Sequence, residues 1–303
     1  MKLNNFLKEN SRNIAEELMQ INNHQLHNEN ISGFGMKKKI IELINDLMAA
    51  MFPTAYELEI TQEVYILETI NRNIINATVK LHDILKTVLI NQCKLDKKNT
   101  CKNTECFVKA ENMATDFIAA LPIIRQMLTT DIQAAYAGDP AARYIEEILL
   151  SYPSIQAVAT YRLAHELFIK DIPIIPRIMT EYAHKNTGID IHPGANIGSH
   201  FFIDHGTGVV IGETCVIGNN VKLYQGVTLG AKSFEVDTDG NLVKGIKRHP
   251  DIEDNVVIYS GATILGGDTV IGHDSIIGGN VWLTSSVPQF SRVYNSSPSP
   301  IIK

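Results

Sequence analysis

At 303 residues the chain is long enough to bury a large core and to hold two domains. Its formal charge of −6 and pI near 5.9 argue against a general nucleic-acid binder, and its lysine runs, Lys37-Lys38-Lys39 and Lys97-Lys98, are expected on solvated faces. No apolar run approaches the roughly 20 residues that span a bilayer, and the opening MKLNNFLKENSRN lacks the apolar core and small-residue cleavage site of a signal peptide, so a cytoplasmic protein without membrane or nucleic-acid partners is expected.

Residues 1–20 suit an amphipathic helix, with Leu3, Phe6, Leu7, Ile14 and Leu18 mostly on one side. Residues 21–35, rich in Asn and Gly, read as a loop. A second apolar stripe over 36–51 is interrupted by Pro53. A long helical pattern runs from about Ala55 to Cys93, breaks over the polar stretch 94–105 and resumes from Phe107 to Tyr136. Three of the four cysteines, Cys93, Cys101 and Cys106, border that break. Their spacing lacks the CxxC pairs of zinc sites, so reduced thiols beside a helix–helix connection are expected rather than a metal or redox site. Gly138-Asp139-Pro140 reads as a stop followed by a start, with Asp139 as N-cap and Pro140 at the first position of a helix over 141–150. Pro153 opens a helix carrying YRLAHELF, and a last helix spans about 175–185. His165 and His184 read as packing or surface residues.

From about Gly188 the pattern changes. An aliphatic residue recurs about every sixth position: Ile197, Ile203, Ile211, Ile217, Leu223 and Leu229, then Ile252, Ile258, Leu265, Ile271, Ile277 and Leu283. A hexapeptide period marks a parallel β-helix, each hexad giving one short strand and one turn. The aliphatic residue points inward. A small residue four places on (Thr207, Cys215, Val221, Val227, Val256, Ala262, Thr269, Ser275, Val281) is expected to fill the narrow interior. The phase slips by two between Ile203 and Ile211 and by one between Ile258 and Leu265, which predicts bulges or turns there. Residues 231–247 cannot continue the hexads and must loop out. In solenoids such insertions often map to the binding face, and this one ends in Arg248-His249-Pro250. The organisation expected is therefore a helical domain over 1–186, a β-helix over 187–290 with a protruding loop at 231–247, and a Ser- and Pro-rich mobile tail over 291–303.

The polar residues that could do chemistry are Asp190, His192, Asp204, His205, Glu213, Arg248 and His249. Asp190 and His205 are fifteen residues apart, where one three-sided coil takes roughly eighteen residues and rises by one strand spacing. They could face each other across adjacent coils, the carboxylate fixing the imidazole tautomer and leaving a base. Equally, Asp190 and His192 could merely cap the first coil. Glu213 reads as a salt-bridge partner for a neighbouring coil. His205, in IDHGTG beside two glycines that admit a ligand, reads as a site histidine.

The set DIHP, IDHGTGVVIGET, GVTLGA, RHP and IGGNVW, preceded by DPAA and YRLAH, resembles the serine O-acetyltransferases over roughly residues 135–290. The resemblance implies an α+β chain: an all-helical N-terminal domain, then a left-handed parallel β-helix with a protruding loop. It implies acetyl transfer from acetyl-CoA, a co-substrate, to L-serine, with no metal. On that reading His205 is the general base and Asp190 its orienting carboxylate. Asp139 and Asp204 hold the substrate amino group, Arg248 holds its carboxylate, and His249 lies beside the reacting centre. Matching positions for CoA are Thr228, Gly230, Ala231, Ser260, Gly261, Gly278 and Gly279, in a groove between neighbouring β-helices. A homotrimer or a dimer of trimers is implied, as is feedback inhibition by L-cysteine. Family tails often end in Ile to engage O-acetylserine sulfhydrylase. Here Lys303 follows Ile302, which leaves that partner open.

Two other readings need to be distinguished. His200-x4-His205 has metal-ligand spacing, and with His192, His249 or His273 it would resemble a γ-class carbonic anhydrase. A non-catalytic scaffold would need none of the DIHP, DH and RHP residues.

Overall fold

The structure is a computed structural model that describes residues 2–25, 33–56, 65–95 and 103–296. Among these residues eight helices come first: α1 Lys2–Gln25, α2 Gly33–Met51, α3 Pro53–Tyr56, α4 Ile66–Leu95, α5 Asn103–Gly138, α6 Ile145–Ser151, α7 Pro153–Phe168 and α8 Ile175–Thr187. Residues 21–25 and 33–35, expected in a loop, are helical; 26–32 lie outside the described residues. Leu3, Phe6, Ile14 and Leu18 of α1 are all exposed. Helices α2, α4 and α5 bury a shared core that includes Leu43, Leu47, Leu81, Leu85, Phe117 and Leu128. Cys93 and Cys106 meet across the α4–α5 contact, Sγ to Sγ at 3.2 Å; Cys101 lies outside the described residues.

Gly188, left-handed at φ 70°, caps α8 and starts the solenoid. Its strands, in chain order, are β1 Asp190–Ile191, β2 Asn196–Ile197, β3 Phe202–Ile203, β4 Val210–Ile211, β5 Val216–Ile217, β6 Lys222–Leu223, β7 Thr228–Gly230, β8 Asp251–Ile252, β9 Val257–Ile258, β10 Thr263–Leu265, β11 Val270–Ile271, β12 Ile276–Ile277, β13 Trp282–Leu283 and β14 Arg292–Val293. All ladders between them are parallel. They form the three faces of a left-handed β-helix: sheet 1 (β1, β4, β7, β10, β13), sheet 2 (β2, β5, β8, β11) and sheet 3 (β3, β6, β9, β12, β14). The first corner joins sheet 1 to sheet 2, the second joins 2 to 3, and the third joins 3 back to 1. The inserted loop, which folds back on itself through the bridge Val236–Leu242, leaves from the first corner. Strand β14 carries the solenoid past residue 290, where the tail was expected to begin; 297–303, with Ile301, Ile302 and Lys303, lie outside the described residues.

Inward aliphatics from Ile191 to Ile277 make the core, each at most 5% exposed. Burying one such side chain contributes about 1.5–3 kcal/mol. Two details differ from the hexad reading. Ile264, not Leu265, points inward and pairs with Leu229, so the period holds through 258 and 264, and the extra residue falls in the turn 266–269. Thr207 is exposed, and Val209 fills the interior in its place. The reason is the two-residue slip: a longer turn swings Thr207 out.

The helical domain is locked to the first coils by α5 and the YRLAH motif of α7. Arg162 and Asp131 form a buried pair, Nε to Oδ2 at 2.6 Å and Nη2 to Oδ1 at 2.8 Å. Arg162 also donates to the carbonyls of Ile197 and Gly198, and Asp131 accepts the N–H of Phe201. Tyr161 donates to the carbonyl of Ala195, and His165 Nδ1 to that of Pro193 at 2.8 Å. Breaking a buried pair of this kind costs about 3–5 kcal/mol, so the position of the helices over the site is firmly held.

Candidate active site

Six residues, 204–209, connect β3 to β4, whereas four, 224–227, connect β6 to β7. The two extra residues are the phase slip, and this longer third corner carries chemistry. Asp204 is buried; His205 adopts a left-handed φ of 59°, and its side chain is 68% exposed. Gly206 is left-handed at φ 84°, and a Cβ there would lie 2.4 Å from Ile189 Cδ1, so only glycine fits the turn. His205 Nδ1 lies 3.8 Å from Asp204 Oδ1. Asp204 Oδ2 lies 3.2 Å from Lys222 Nζ, which also donates to the carbonyl of Gly138 at 2.7 Å. Burial pushes the Lys222 ammonium down, but hydrogen bonds with Tyr224 and Asp204 outweigh it and hold it above its ordinary value.

The helical domain adds Asp139 to this corner. It is not the N-cap expected, because no helix follows it. Residues 139–144 form a turn, and α6 begins only at Ile145 behind Tyr144. Asp139 Oδ1 instead accepts the N–H of Ala141 at 2.8 Å, an Asx turn that competes with helix. Its Oδ2 accepts the Tyr152 hydroxyl. That bond, with the Ala141 N–H and the nearby Lys222 and His205, holds the Asp139 carboxyl below its ordinary range. The same bond pushes the Tyr152 phenol up to about 12.

The first corner holds the remaining charged residues. Arg248 pairs with Glu213, as the sequence suggested for Glu213. Burial pushes the Glu213 carboxyl up, but the Arg248 bond and the neighbouring His192 reverse it, and the net direction is down. His249 is 7% exposed. Its Nδ1 accepts the N–H of Thr214 at 3.1 Å and lies 2.9 Å from Thr214 Oγ1. Burial first, then the adjacent Arg248, lower it to about 4, so the imidazole is neutral near pH 7. Gly212 makes room for the ring: a Cβ there would lie 2.0 Å from His249 Cδ2. His192 completes the corner, its Nδ1 accepting the N–H of Gly194 at 3.0 Å and its ring edge-on to Phe168. It caps the first coil's turn.

Sheet 1 separates the two groups. His205 lies in the bulged turn that enters β4 and Gly212 follows the end of that strand, so β4 stands between them. One chain therefore carries two separate polar groups: Asp139, Asp204 and His205 at the third corner, Arg248 and His249 at the first. Asp190 starts β1 and pairs with Val210, which places it at the same end of sheet 1 as His205. Its carboxylate, however, clusters with Glu181 and His184, their polar atoms all within 4.8 Å; the ion pair that His205 makes is with Asp204. His200 lies in the second corner and His205 in the third, so the spacing that suggested a metal site does not bring them together.

The seven positions matched to CoA also divide. Thr228 faces outward from β7, with Gly230 and Ala231 leading into the inserted loop. Ser260, Gly261, Gly278 and Gly279 stack on the third corner. Close packing between coils is by itself a reason for several of these glycines. A Cβ on Gly261 would lie 2.3 Å from Asn280 Oδ1, one on Gly278 2.6 Å from Tyr294 Cδ1, and one on Gly230 2.9 Å from Leu265 Cδ2.

Several known proteins that this chain resembles in sequence are serine acetyltransferases. A plasmid-borne serine acetyltransferase of Synechococcus elongatus is 57% identical over 179 residues, 59% of this chain and 56% of that relative's length. The Bacillus subtilis serine acetyltransferase is 46% identical over 168 residues, 55% of this chain and 73% of the relative. The chain belongs to the serine acetyltransferase family. No family model matches it. Among solved structures, serine acetyltransferase isoform 3 of Entamoeba histolytica, in complex with cysteine, superposes with a TM-score of 0.71 at 36% identity, covering 86% of this chain and 83% of that one.

For this member of the serine acetyltransferase family, three residues at the site escape a reading of the sequence. Tyr152 and Lys222 touch Asp139 and Asp204 from 13 and 18 positions away in sequence. Thr214 touches His249 across 35 positions. The inserted loop hides that last pairing. Counting hexads with the loop removed puts Thr214 one coil below His249, a signal the sequence does hold. No helix among the described residues is long and apolar enough to cross a membrane.

Proposed function

We propose that the chain transfers acetyl from acetyl-CoA to the hydroxyl of L-serine, at a site that two adjacent protomers complete. One observation carries this reading: the third corner holds two carboxylates, Asp139 and Asp204, against the one ammonium of Lys222, whereas Arg248 stands at the first corner beside Glu213. Serine is a zwitterion. Its ammonium needs carboxylates, which Asp139 and Asp204 supply, and its carboxylate needs a cation, which Arg248 supplies. A single chain holds these groups too far apart for one small substrate. A neighbouring protomer that sets its first corner against this third corner closes the gap, and three such contacts close a ring. A trimer is the smallest assembly of a three-sided rod that does so.

In the shared site His205 takes the serine hydroxyl proton on Nε2, its Nδ1 facing the carboxylates of that corner, Asp204 and, after rotation of its side chain, Asp190. The oxygen attacks the thioester carbonyl, and negative charge moves onto the carbonyl oxygen. His249, neutral at pH 7, is the donor placed for that oxyanion. The intermediate collapses, the C–S bond breaks, and the thiolate takes the proton back from His205. The products are O-acetyl-L-serine and CoA. The CoA arm runs past Thr228, Gly230 and Ala231 and along the stack of Ser260, Gly261, Gly278 and Gly279. Cysteine, which the Entamoeba relative binds, carries the same zwitterion and fits the same groups, so it inhibits by occupying the serine site. The reaction is placed in the cytoplasm, where acetyl-CoA is at hand.

The test follows release of CoA thiol from acetyl-CoA in the presence and absence of L-serine. Serine-dependent release is expected, and its absence across several acceptors would sink the transferase reading. A second arm mixes two inactive variants, His205→Ala and Arg248→Ala, and lets them reassemble. If the site is shared, roughly a quarter of the sites regain both intact halves in a random mixture. Activity that stays at the level of the parents would mean each chain works alone.

A further inference from the structure

We infer that Thr214 is a positioning residue for the transfer: its hydroxyl fixes His249 in the tautomer that carries its proton on Nε2 and ties the RHP segment to the coil below. The inference rests on the reading of His249 as the oxyanion donor and deepens it.

The hydrogen-bond inventory leaves little freedom. Thr214 Oγ1 accepts two backbone N–H groups, from Arg248 at 3.0 Å and from His249 at 3.1 Å. With both lone pairs occupied, its one proton has a single direction left, toward His249 Nδ1 at 2.9 Å. The N–H of Thr214 itself points at the same Nδ1, at 3.1 Å. Two donors converge on Nδ1, so Nδ1 is the unprotonated nitrogen and the ring proton resides on Nε2. Among the described residues Nε2 makes no hydrogen bond, and no buried side-chain nitrogen or oxygen is left without one, so Nε2–H reaches the solvent side and is free to donate. The carbonyl of Thr214 adds a third tie, accepting Lys247 Nζ at 2.6 Å. Thr214 thus grips Lys247, Arg248 and His249, the three residues with which the inserted loop rejoins the solenoid. Serine in its place would keep every one of these bonds. Valine has the same shape and keeps the bonds of its own backbone, but loses the hydroxyl that accepts from Arg248 and His249 and donates to Nδ1.

The test is a double-mutant cycle on the full-length enzyme, with kcat and KM for serine read separately. Thr214→Val is expected to lower kcat by about ten- to a hundred-fold, somewhat less than the 10²–10³-fold that loss of an oxyanion donor costs. Thr214→Ser is expected to recover most of that loss. In a His249→Ala background, Thr214→Val is expected to lower kcat less than threefold or so, because the group through which it acts is gone. An equal loss in both backgrounds would show a general structural role and overturn the inference, as would a Thr214→Val enzyme with wild-type kcat. Failure of the underlying reading looks different: His249→Ala alone would then keep full kcat, or the wild type would release no CoA with serine.

Discussion

At the third corner His205 stands on a turn two residues longer than the one above it, its side chain largely in solvent and its nearest carboxylate 3.8 Å away. At the first corner His249 is 7% exposed, with Nδ1 bonded to Thr214 and its ring lying over Gly212. On the proposed mechanism the two histidines have different tasks, and their surroundings suit them. A base has to meet a substrate hydroxyl and pass a proton on, so it needs access and some freedom. A donor for a developing oxyanion has to be in place before the charge appears, because orienting it during the reaction would raise the barrier. On that reading the solenoid provides both: a bulged turn for the first, and for the second the end of the inserted loop, packed on Gly212 and Thr214 of the coil below.

The largest effects should separate these roles. His205→Ala is expected to lower kcat by about 10²–10⁴-fold, the usual worth of general-base assistance. His249→Ala is expected to lower it by about 10²–10³-fold, the worth of one oxyanion donor. Steady-state assays at saturating serine and acetyl-CoA check both. Equal KM shifts with unchanged kcat would mean that the histidines only bind substrate. Gly212→Ala addresses the same contrast by geometry. Its new methyl would lie within 2.0–2.5 Å of three atoms of the His249 ring, so the ring must move. A fall in kcat approaching that of His249→Ala is expected, with a modest fall in melting temperature as the displaced ring gives up its packing and its bonds to Thr214. Wild-type kcat in that variant would show that the ring's position is not critical.

The carboxylates of the third corner offer a finer division. Asp190→Asn is expected to act mainly on kcat, by loosening the orientation of the His205 ring. Asp204→Asn is expected to act mainly on KM for serine, through the lost partner for its ammonium. The ratio of the two parameters in each variant decides the matter. If Asp204→Asn carries the kcat loss and Asp190→Asn is mild, the ion pair His205–Asp204 is the orienting one and the two roles are exchanged.

Much of this was legible in the residues, and the exceptions have physical causes. The hexads declare the solenoid because each strand must bury one aliphatic side chain in an interior too narrow for choice. The slip between Ile203 and Ile211 marks the bulge that holds Asp204 and His205, so an interruption in the repeat pointed at the site. The second slip was misplaced. In Thr263-Ile264-Leu265 two neighbouring aliphatics compete for one inward position, and only the pairing of Ile264 with Leu229 settles it. Asp139 misled for a related reason: an Asx turn and a helix N-cap begin with the same side-chain acceptor and differ only in what the next residues do. The partition of the charged residues over two corners follows from counting hexads modulo three sides, once the loop 231–247 is set aside. Lys222 was silent because nothing in a lysine signals a tertiary bond, and Thr214 shows only in the hexad count once the loop is set aside.

The smallest effect concerns the acidic side of the comparison alone. Asp139 owes its lowered carboxyl first to the Tyr152 hydroxyl, then to the Ala141 N–H. A lowered carboxylate keeps its charge as pH falls and loses it only on passing through its own shifted value. Serine binding through that charge therefore survives further into acid than an ordinary aspartate would allow. Tyr152→Phe removes the main cause and leaves the second, so the Asp139 value should rise part of the way toward the ordinary 3.8. Near pH 7 the carboxylate is ionised either way, and serine affinity should barely change. Below roughly pH 5, where carboxylates begin to take up protons, the variant should lose affinity at a higher pH than the wild type. Calorimetric titration of serine into both proteins across that range checks it. Superimposable curves would mean that the Tyr152 bond does not govern the charge of Asp139, and a large loss at pH 7 would mean that the phenol itself holds substrate.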